Sequence, residues 1–599
     1  MIDTTAPDAP PAARPGPPAP SSRWWDVLAP LAFVALAIVH QSALGRSPKT
    51  RVSALSPSDP ALLEWMLSHA AQAITDLRNP FFTDQLNTPD GVNLMANASI
   101  LGIGVLLAPF TLLFGPAVTY VLATTIGLAG TAIGWYFLLS REIVTSRGAA
   151  AVGAGLAGFG PPMLSQSNGH LQMAFQVLVP LIVWQVLRLL RTTRPIRDGL
   201  VLAALVVGQY FIGAEVLLIT ALACTILAIS YAAMRPRALW ARRGPAIRAL
   251  VTCALASGVA LAYPLRVQFF GPQVYHQMPN IPERFGADVM SWFRYTGTTV
   301  GGDPRALLDG TAPLLAPNVT EINTFFGVPL LALLLISSVW LWRRSLAARL
   351  AAITTWLFAL FSLGVTFVVN DHDTGVPAPW WPLGHLPLLG NIVPTRLAHV
   401  AAVGAAVLVA LTIDRALAVA PSRWYVRYPA LVAVVVALVP LFPRPTPIVD
   451  VPAAPPFLAS GAYQRYLAND QALMITPAWK QNRVNAMRWS ARDHLGFGVS
   501  DGYYLVPDPR STEGMARYST PPSNTDNLLS RLASAGKPMA VTAEQRAQAP
   551  IDLRDEEVGI VFLPATTPRA AVAWPSSFSM LARATAVDGG WIWQPSELD

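Results

Sequence analysis

About eleven stretches of this chain are apolar for long enough to cross a lipid bilayer, and a chain that enters a bilayer must satisfy its own backbone. With no water there to bond free N–H and C=O groups, each stretch has to be helical. The runs fall near residues 26–44, 117–140, 148–164, 170–190, 198–213, 214–233, 248–265, 325–342, 349–369, 396–417 and 428–443. The composition agrees, with 53% hydrophobic and only 13% charged residues over 599 positions. The expected class is therefore an all-α polytopic membrane protein. The run 98–115 is also apolar, but it ends in Phe114-Gly115-Pro116 and feeds directly into the next span. It reads as a re-entrant or membrane-surface segment.

Arginine sets the expected orientation. With 98–115 not crossing, Arg141, Arg147, Arg188 to Arg197, Arg235 to Arg248, Arg343 to Arg349 and Arg415 to Arg427 all fall on one face. Positive residues in short loops mark the cytoplasmic side. This places the N-terminus in the cytoplasm and segments 45–97, 265–323, 371–394 and 444–599 outside a cytoplasmic membrane. The net charge of +8 is then explained by topology, and a nucleic-acid partner is not expected. Cys224 and Cys253 both lie in spans, which excludes a disulfide framework outside and a zinc-thiolate site. Residues 1–22, rich in Pro and Ala, read as a disordered cytoplasmic tail, and 23–443 as the transmembrane domain.

Beyond Pro443 the spanning runs stop. Segments such as ALMIT (472–476) and VGIVFLP (558–564) read as strands, and 484–494, 523–535 and 543–549 as helices. Residues 452–599 are expected to form an extracytoplasmic α/β domain. Its cluster Arg488-Trp489, Asp493-His494 and Asp501-Gly502-Tyr503-Tyr504 suits either sugar contacts or core packing.

Candidate chemistry lies in the outer segments. Asp59 follows the first span and precedes Pro60, which suits a helix start; Asp59 is either the helix cap or a carboxylate placed to take a proton from an acceptor hydroxyl. Glu64 and Asp84 are the alternative catalytic carboxylates, although Asp76, Asp84 and Asp90 sit among turn residues. Asn168, His170 and Gln172 in SNGHLQ gather donors and acceptors at the mouth of a span, and suit either a polar substrate or a plain helix start. Glu215 in GQYFIGAEVLL, a carboxylate between two apolar runs, needs water, a turn or a partner. Arg266 and Arg396 stand at the expected headgroup level, where guanidinium groups suit a phosphate or ordinary lipid headgroups.

The acidic loop after the first span, the span count and the C-terminal outer domain resemble the GT-C superfamily, polytopic transferases that take sugars from polyprenyl-phosphate carriers. The phrases NPFFTDQLNTPDGVNLMANAS, GFGPPMLSQSNGHLQ, QYFIGAEVLL and PTRLAHV look similar to uncharacterised actinobacterial glycosyltransferase-like membrane proteins, over most of residues 25–510. The resemblance implies a base at Asp59, with His170 where relatives carry an acid or histidine. The chain departs from the two adjacent acids of many such enzymes: Pro60 follows Asp59, and the next acid is Glu64.

The expected activity is inverting transfer of a sugar from a polyprenyl-phosphate donor to a glycan, lipid or protein acceptor. His170, Arg266 and Arg396 would hold the donor phosphate, and Asn168, Gln172 and Glu215 the substrate. Asp59, His170 and Glu215 could assemble a site for a divalent cation, Mg²⁺ or Mn²⁺, but no ligand spacing demands one. The alternatives are a lipid or glycan transporter, which would line a pathway near the midplane, and a non-catalytic envelope-assembly protein.

Overall fold

The computed structural model describes residues 23–97, 99–278, 284–311, 315–468, 471–477, 480–535, 540–565 and 584–595. The expected tail 1–22 lies outside them. The protein is a polytopic helical membrane protein with a C-terminal α/β region.

Among the described residues, seven helices are long and apolar enough to cross a bilayer: Trp25–Gly45, Pro116–Ile143, Pro195–Ile212, Ala214–Met234, Pro236–Phe270, Pro394–Ala418 and Pro421–Leu441. Val179–Leu189, Gly327–Trp342 and Leu346–Phe361 are shorter apolar helices. Large apolar side chains on the outside, such as Val259, Ile336 and Val339, fit contact with lipid tails.

The helix Ala398–Ala418 runs through the centre and is the most enclosed of the candidate spans. Its small residues permit this. A Cβ at Gly404 would meet the Thr355 backbone nitrogen at 2.9 Å, and one at Gly153 would meet the Ala406 carbonyl oxygen at 2.7 Å. Such close approach of backbones is a principal source of helix association in lipid.

Three expected spans are corrected. The run 148–164 is interrupted at Gly160, which is extended between the helices Arg147–Phe159 and Pro161–Gln166. The run 170–190 is two helices, Leu171–Ala174 and Val179–Leu189, because Pro180 has no N–H to bond the carbonyl of Gln176. The run 349–369 stops being helical at Phe361. Gly364 turns the chain at φ 86°, and Thr366–Val369 pairs antiparallel with His372–Pro377. The segment 98–115 forms two short helices, Leu101–Leu106 and Ala108–Phe114, each far below spanning length.

Hydrogen bonds define the two ends of the bundle. At one end Asp26 gathers Tyr136 (2.8 Å), Arg141 (3.2 Å) and Arg147 (2.5 Å), while Glu142 accepts from Trp184 and Arg191. At the other end Arg51–Ser53 pairs antiparallel with Ile448–Asp450, and His40 bonds Ser167 and the carbonyl of Arg444. The longer connections collect here.

The C-terminal region carries a five-stranded sheet in the order Thr585–Val587, Gly590–Trp593, Val558–Pro564, Ala472–Ile475, Gly498–Val499. The last three strands run parallel, as expected for strands linked by the helices Lys480–Arg492, Asn524–Ala535 and Ala543–Asp555. Leu86, from the loop after the first span, adds a bridge beside Val499, so that loop and this sheet share an edge. Glu64 fastens them further: its buried carboxylate accepts from Arg492 at 3.1 Å and lies 3.8 Å from Arg488.

Candidate active site

The helix Asp59–Thr75 begins with Asp59 and Pro60, where the missing N–H of proline costs no hydrogen bond. Ser58 precedes it without a capping side-chain hydrogen bond, and the Asp59 carboxylate lies beside the turn that carries Gly169 and His170. Ser56 donates to its carboxylate. Gly169 is what lets this segment approach, because a Cβ there would meet Ser56 Cβ at 2.8 Å and Asp59 Oδ2 at 3.2 Å.

The turn that carries Gly169 also carries His170. Its Nε2 lies 3.8 Å from Asp59 Oδ2 and its Nδ1 lies 3.7 Å from Glu321 Oε1. Both distances are too long for a direct hydrogen bond. The ring stands between two carboxylates, in ion-pair range of each.

Glu321 ends the short helical turn Val319–Glu321 just before the helix Gly327–Trp342, and it is almost wholly buried. Gln166 Nε2 approaches its Oε2 at 2.9 Å, Asn323 Nδ2 at 3.1 Å and Thr395 Oγ1 at 3.2 Å. Arg396 makes a two-point fork to it, through Nη2 at 2.6 Å and Nε at 3.1 Å. Burial alone would raise its pKa, but the positive charges of Arg396 and His170 and these hydrogen bonds outweigh that and hold it at about 2. Glu321 is a fixed anion.

Arg396 uses its remaining edge on Glu215, whose other oxygen accepts the Val393 N–H at 3.2 Å. Glu215 is therefore neither a solvated turn nor unpartnered. One turn beyond Arg396, His399 Nδ1 meets Gln176 Nε2 at 2.9 Å, a contact made available by the helix break at residues 175–178.

Two tyrosines of the C-terminal region approach Asp59. Tyr503 is in hydrogen-bond contact with the Asp59 carboxylate, and burial together with that negative charge pushes its hydroxyl pKa well up. Tyr518 stacks on Tyr503 with ring centroids 5.3 Å apart and is about half exposed. A carboxylate has about four acceptor positions, so Ser56 and Tyr503 leave Asp59 room to accept a proton from a bound hydroxyl.

Of the residues proposed from sequence, the structure brings together Asp59, His170, Glu215 and Arg396, and it adds Glu321. Asn168 braces the turn, with Nδ2 2.7 Å from the Leu164 carbonyl oxygen and Oδ1 accepting from Ser53. Gln172 is buried, with its backbone against Gly213. Three placements differ from expectation. Glu64 faces Arg488 and Arg492, Asp84 lies exposed beside His69, and Arg266 joins none of the cluster's contacts among the described residues. Within the sugar-type cluster, Trp489 and Arg488 are core residues; Arg488 is enclosed and donates to the Pro57 carbonyl.

Arg396 pairs with Glu215 and Glu321, so Asp59 and His170 are the donors of the cluster not paired with an arginine among the described residues, and a Mg²⁺ ion ordinarily takes one or two carboxylates together with substrate phosphates. Among the described residues no group of three His, Cys, Asp or Glu is placed to hold a metal.

The same fold occurs in the arabinofuranosyltransferase AftD from Mycobacteria, with a TM-score of 0.51 and 14% identity over 96% of this chain and 42% of that one. The archaeal oligosaccharyltransferase AglB from Archaeoglobus fulgidus, in complex with an inhibitory peptide and a dolichol-phosphate, gives 0.48 and 13% over 97% of this chain and 75% of its own. ArnT from Cupriavidus metallidurans bound to undecaprenyl phosphate gives 0.42 and 13% over 95% and 98%. No family model and no curated protein sequence matches the chain.

Proposed function

We propose that this chain, a multi-pass membrane protein with the GT-C glycosyltransferase fold, transfers a sugar from a polyprenyl-phosphate donor to a hydroxyl acceptor at the loop-bearing end of the bundle. One observation carries the reading. A partly exposed carboxylate, Asp59, stands beside a buried charge cluster of His170, Glu321, Arg396 and Glu215 at the mouth of an apolar bundle, under aromatic cover from the C-terminal region.

In this reading Asp59 takes the proton from the acceptor hydroxyl as its oxygen attacks the anomeric carbon. The bond from that carbon to the phosphate oxygen breaks, and the electron pair leaves with polyprenyl phosphate. A single displacement of this kind inverts the anomeric carbon. Arg396 meets the leaving phosphate by exchanging Glu215 for it, while the fork to Glu321 keeps the guanidinium in place. His170, between Asp59 and Glu321, adds a positive charge when protonated and orients the base. The half-exposed Tyr518 supplies an aromatic contact for a sugar ring. The fold shared with an arabinofuranosyltransferase supports the reaction class.

The arginine-bearing end would then face the cytoplasm and the C-terminal region the outside. A transporter would be expected to line a path through the middle of the bundle, whereas this cluster sits at one end. The test is direct. Purified protein is incubated with polyprenyl-phosphate sugars and a hydroxyl acceptor, and free polyprenyl phosphate is measured by mass spectrometry. Release coupled to a glycosylated product supports transfer, and vesicle-to-vesicle movement of intact donor without release overturns it.

A further inference from the structure

The helix Pro236–Phe270 is 35 residues long. That is about 52 Å by helical rise, whereas the apolar core of a bilayer is about 30 Å thick. Part of the surplus lies at its start. The helix Pro195–Ile212 runs beside it in the same direction, with Gly199 against the Ala249 carbonyl and Tyr210 donating to Gln268 at 2.6 Å. Pro195 is level with Pro245 on this register, so residues 236–244 continue about 13 Å beyond the start of the neighbouring helix.

This overhang belongs to the arginine-bearing end of the bundle. Arg191, in the connection before Pro195, donates to Glu142 at 3.2 Å, next to the residues that hold Asp26. Asp414, near the end of the central helix, accepts the Ser146 N–H at 2.7 Å at the same end. Past it Trp424, Tyr425 and Tyr428 are exposed, an aromatic belt of the kind that marks a headgroup level.

The charge of the overhang is one-sided. Arg235, Arg237, Arg242, Arg243 and Arg248 are all exposed, and the chain has no Asp or Glu between Glu215 and Glu283. Arg141, Arg147, Arg191 and Arg197, at the same end, each hold a carboxylate. Among the described residues none of the five does. At 100° per residue Trp240, Gly244, Ile247 and Val251 share one face of the helix. Trp240 is 70% exposed, Ile247 54% and Val251 50%. Arg237, Arg243 and Arg248 flank that face, and the Arg243 guanidinium sits over the Trp240 ring at 3.2 Å. An apolar stripe edged by arginine fits a helix lying in a membrane surface, with its apolar side at the acyl boundary and its cations at the phosphates.

We infer that the start of this helix is a docking site for anionic phospholipid, in which Arg237, Arg243 and Arg248 bind headgroup phosphates while Trp240 and Ile247 enter the acyl boundary. Topology alone asks only for positive charge in the connection, not for arginines set along both edges of an apolar face that outruns its neighbour. Zwitterionic headgroups carry a cation that competes with arginine, so the site selects lipids of net negative charge. The inference concerns the end of the bundle opposite Asp59 and holds whichever reaction Asp59 serves.

The test uses the full chain in mild detergent, with Cys224→Ala and Cys253→Ala leaving Gly244→Cys as the single thiol. A Cβ at Gly244 meets nothing within 4 Å, so an environment-sensitive fluorophore attached there reports on the Trp240 face. Short-chain phosphatidylglycerol should shift its emission to the blue in a saturable titration, and short-chain phosphatidylcholine should need roughly tenfold more lipid. The triple variant Arg237→Gln, Arg243→Gln and Arg248→Gln should raise the phosphatidylglycerol half-point by a similar factor, as should about 0.5 M salt with the parent protein. Thermal melts report whether the variant is folded; if it is not, the lipid and salt comparisons on the parent protein decide. Equal half-points for the two lipids, a half-point indifferent to salt, or equal half-points for parent and folded variant overturn the site and leave these arginines to orientation alone.

Discussion

Arg396 grips Glu321 through two nitrogens, Nη2 at 2.6 Å and Nε at 3.1 Å, and this fork joins the start of the central helix to the loop that precedes the helix Gly327–Trp342. Removing one partner of such a buried pair leaves the other charge uncompensated. Arg396→Ala is expected to cost about 3–5 kcal/mol of stability. Arg396→Lys should fall between Ala and wild type, since the charge remains and the planar fork is lost. Melting curves in detergent order the three proteins, and equal melting of Lys and wild type would show that the fork contributes nothing.

Glu215 occupies the outer edge of the Arg396 guanidinium, where the proposed donor phosphate must dock. Glu215→Gln removes a competing anion and is expected to tighten binding of a polyprenyl phosphate on the order of tenfold, equivalent to about 1.4 kcal/mol. Fluorescence titration with a labelled short-chain polyprenyl phosphate reads this. Weaker binding by the folded variant would mean that Glu215 itself contacts the ligand.

The buried Glu64 joins the first long loop to the C-terminal region through Arg492 and Arg488. Glu64→Ala strands the enclosed Arg488 guanidinium, takes a partner from the partly buried Arg492, and should destabilise by about 3–5 kcal/mol. The expected sign in limited proteolysis is earlier cleavage between the transmembrane part and residues 452–599. If cleavage is unchanged while transfer falls steeply, Glu64 belongs to the chemistry.

Two pH windows follow from the charges. The Glu321 carboxyl is depressed to about 2 from an ordinary 4.5, so its stabilisation is fully present above 4.5 and is lost as pH falls toward 2. His69 is lowered to about 4 from 6.5; it must stay neutral in the fold, so its contribution is full above 6.5 and declines as pH falls through 4. Stability should therefore weaken first between pH 6.5 and 4, a slope that His69→Phe reduces, and again below 4.5, a slope that Glu321→Gln reduces. Unaltered slopes in both variants would assign acid sensitivity to other groups.

Much of this arrangement is legible in sequence because a bilayer reduces the choices. Apolar length gives the helices, and the polar residues left at their mouths are few enough to name, as with Asp59, His170, Glu215 and Arg396. Glu321 escapes that reading although the same rule applies to it: a carboxylate in PNVTEIN directly before an apolar run. Its importance comes from Gln166 and Arg396, which are 155 and 75 residues away in the chain. Spacing carries no trace of such contacts. The break at 175–178 was readable from Pro180, but the apolar run hides it, because hydropathy measures solvent preference and not backbone hydrogen bonding. Glu64 and Asp84 look alike as loop acids; only packing of the C-terminal region makes one a buried brace and leaves the other exposed.

The central claim is that Asp59 takes the acceptor proton, and Asp59→Asn tests it with the least disturbance, keeping size and one acceptor oxygen for the hydroxyls of Ser56 and Tyr503. Initial rates of sugar transfer from a polyprenyl-phosphate donor should fall roughly 10²–10⁴-fold, the usual contribution of a general base, with the melting temperature and donor binding unchanged. Transfer by folded Asp59→Asn protein at the wild-type rate would contradict the account.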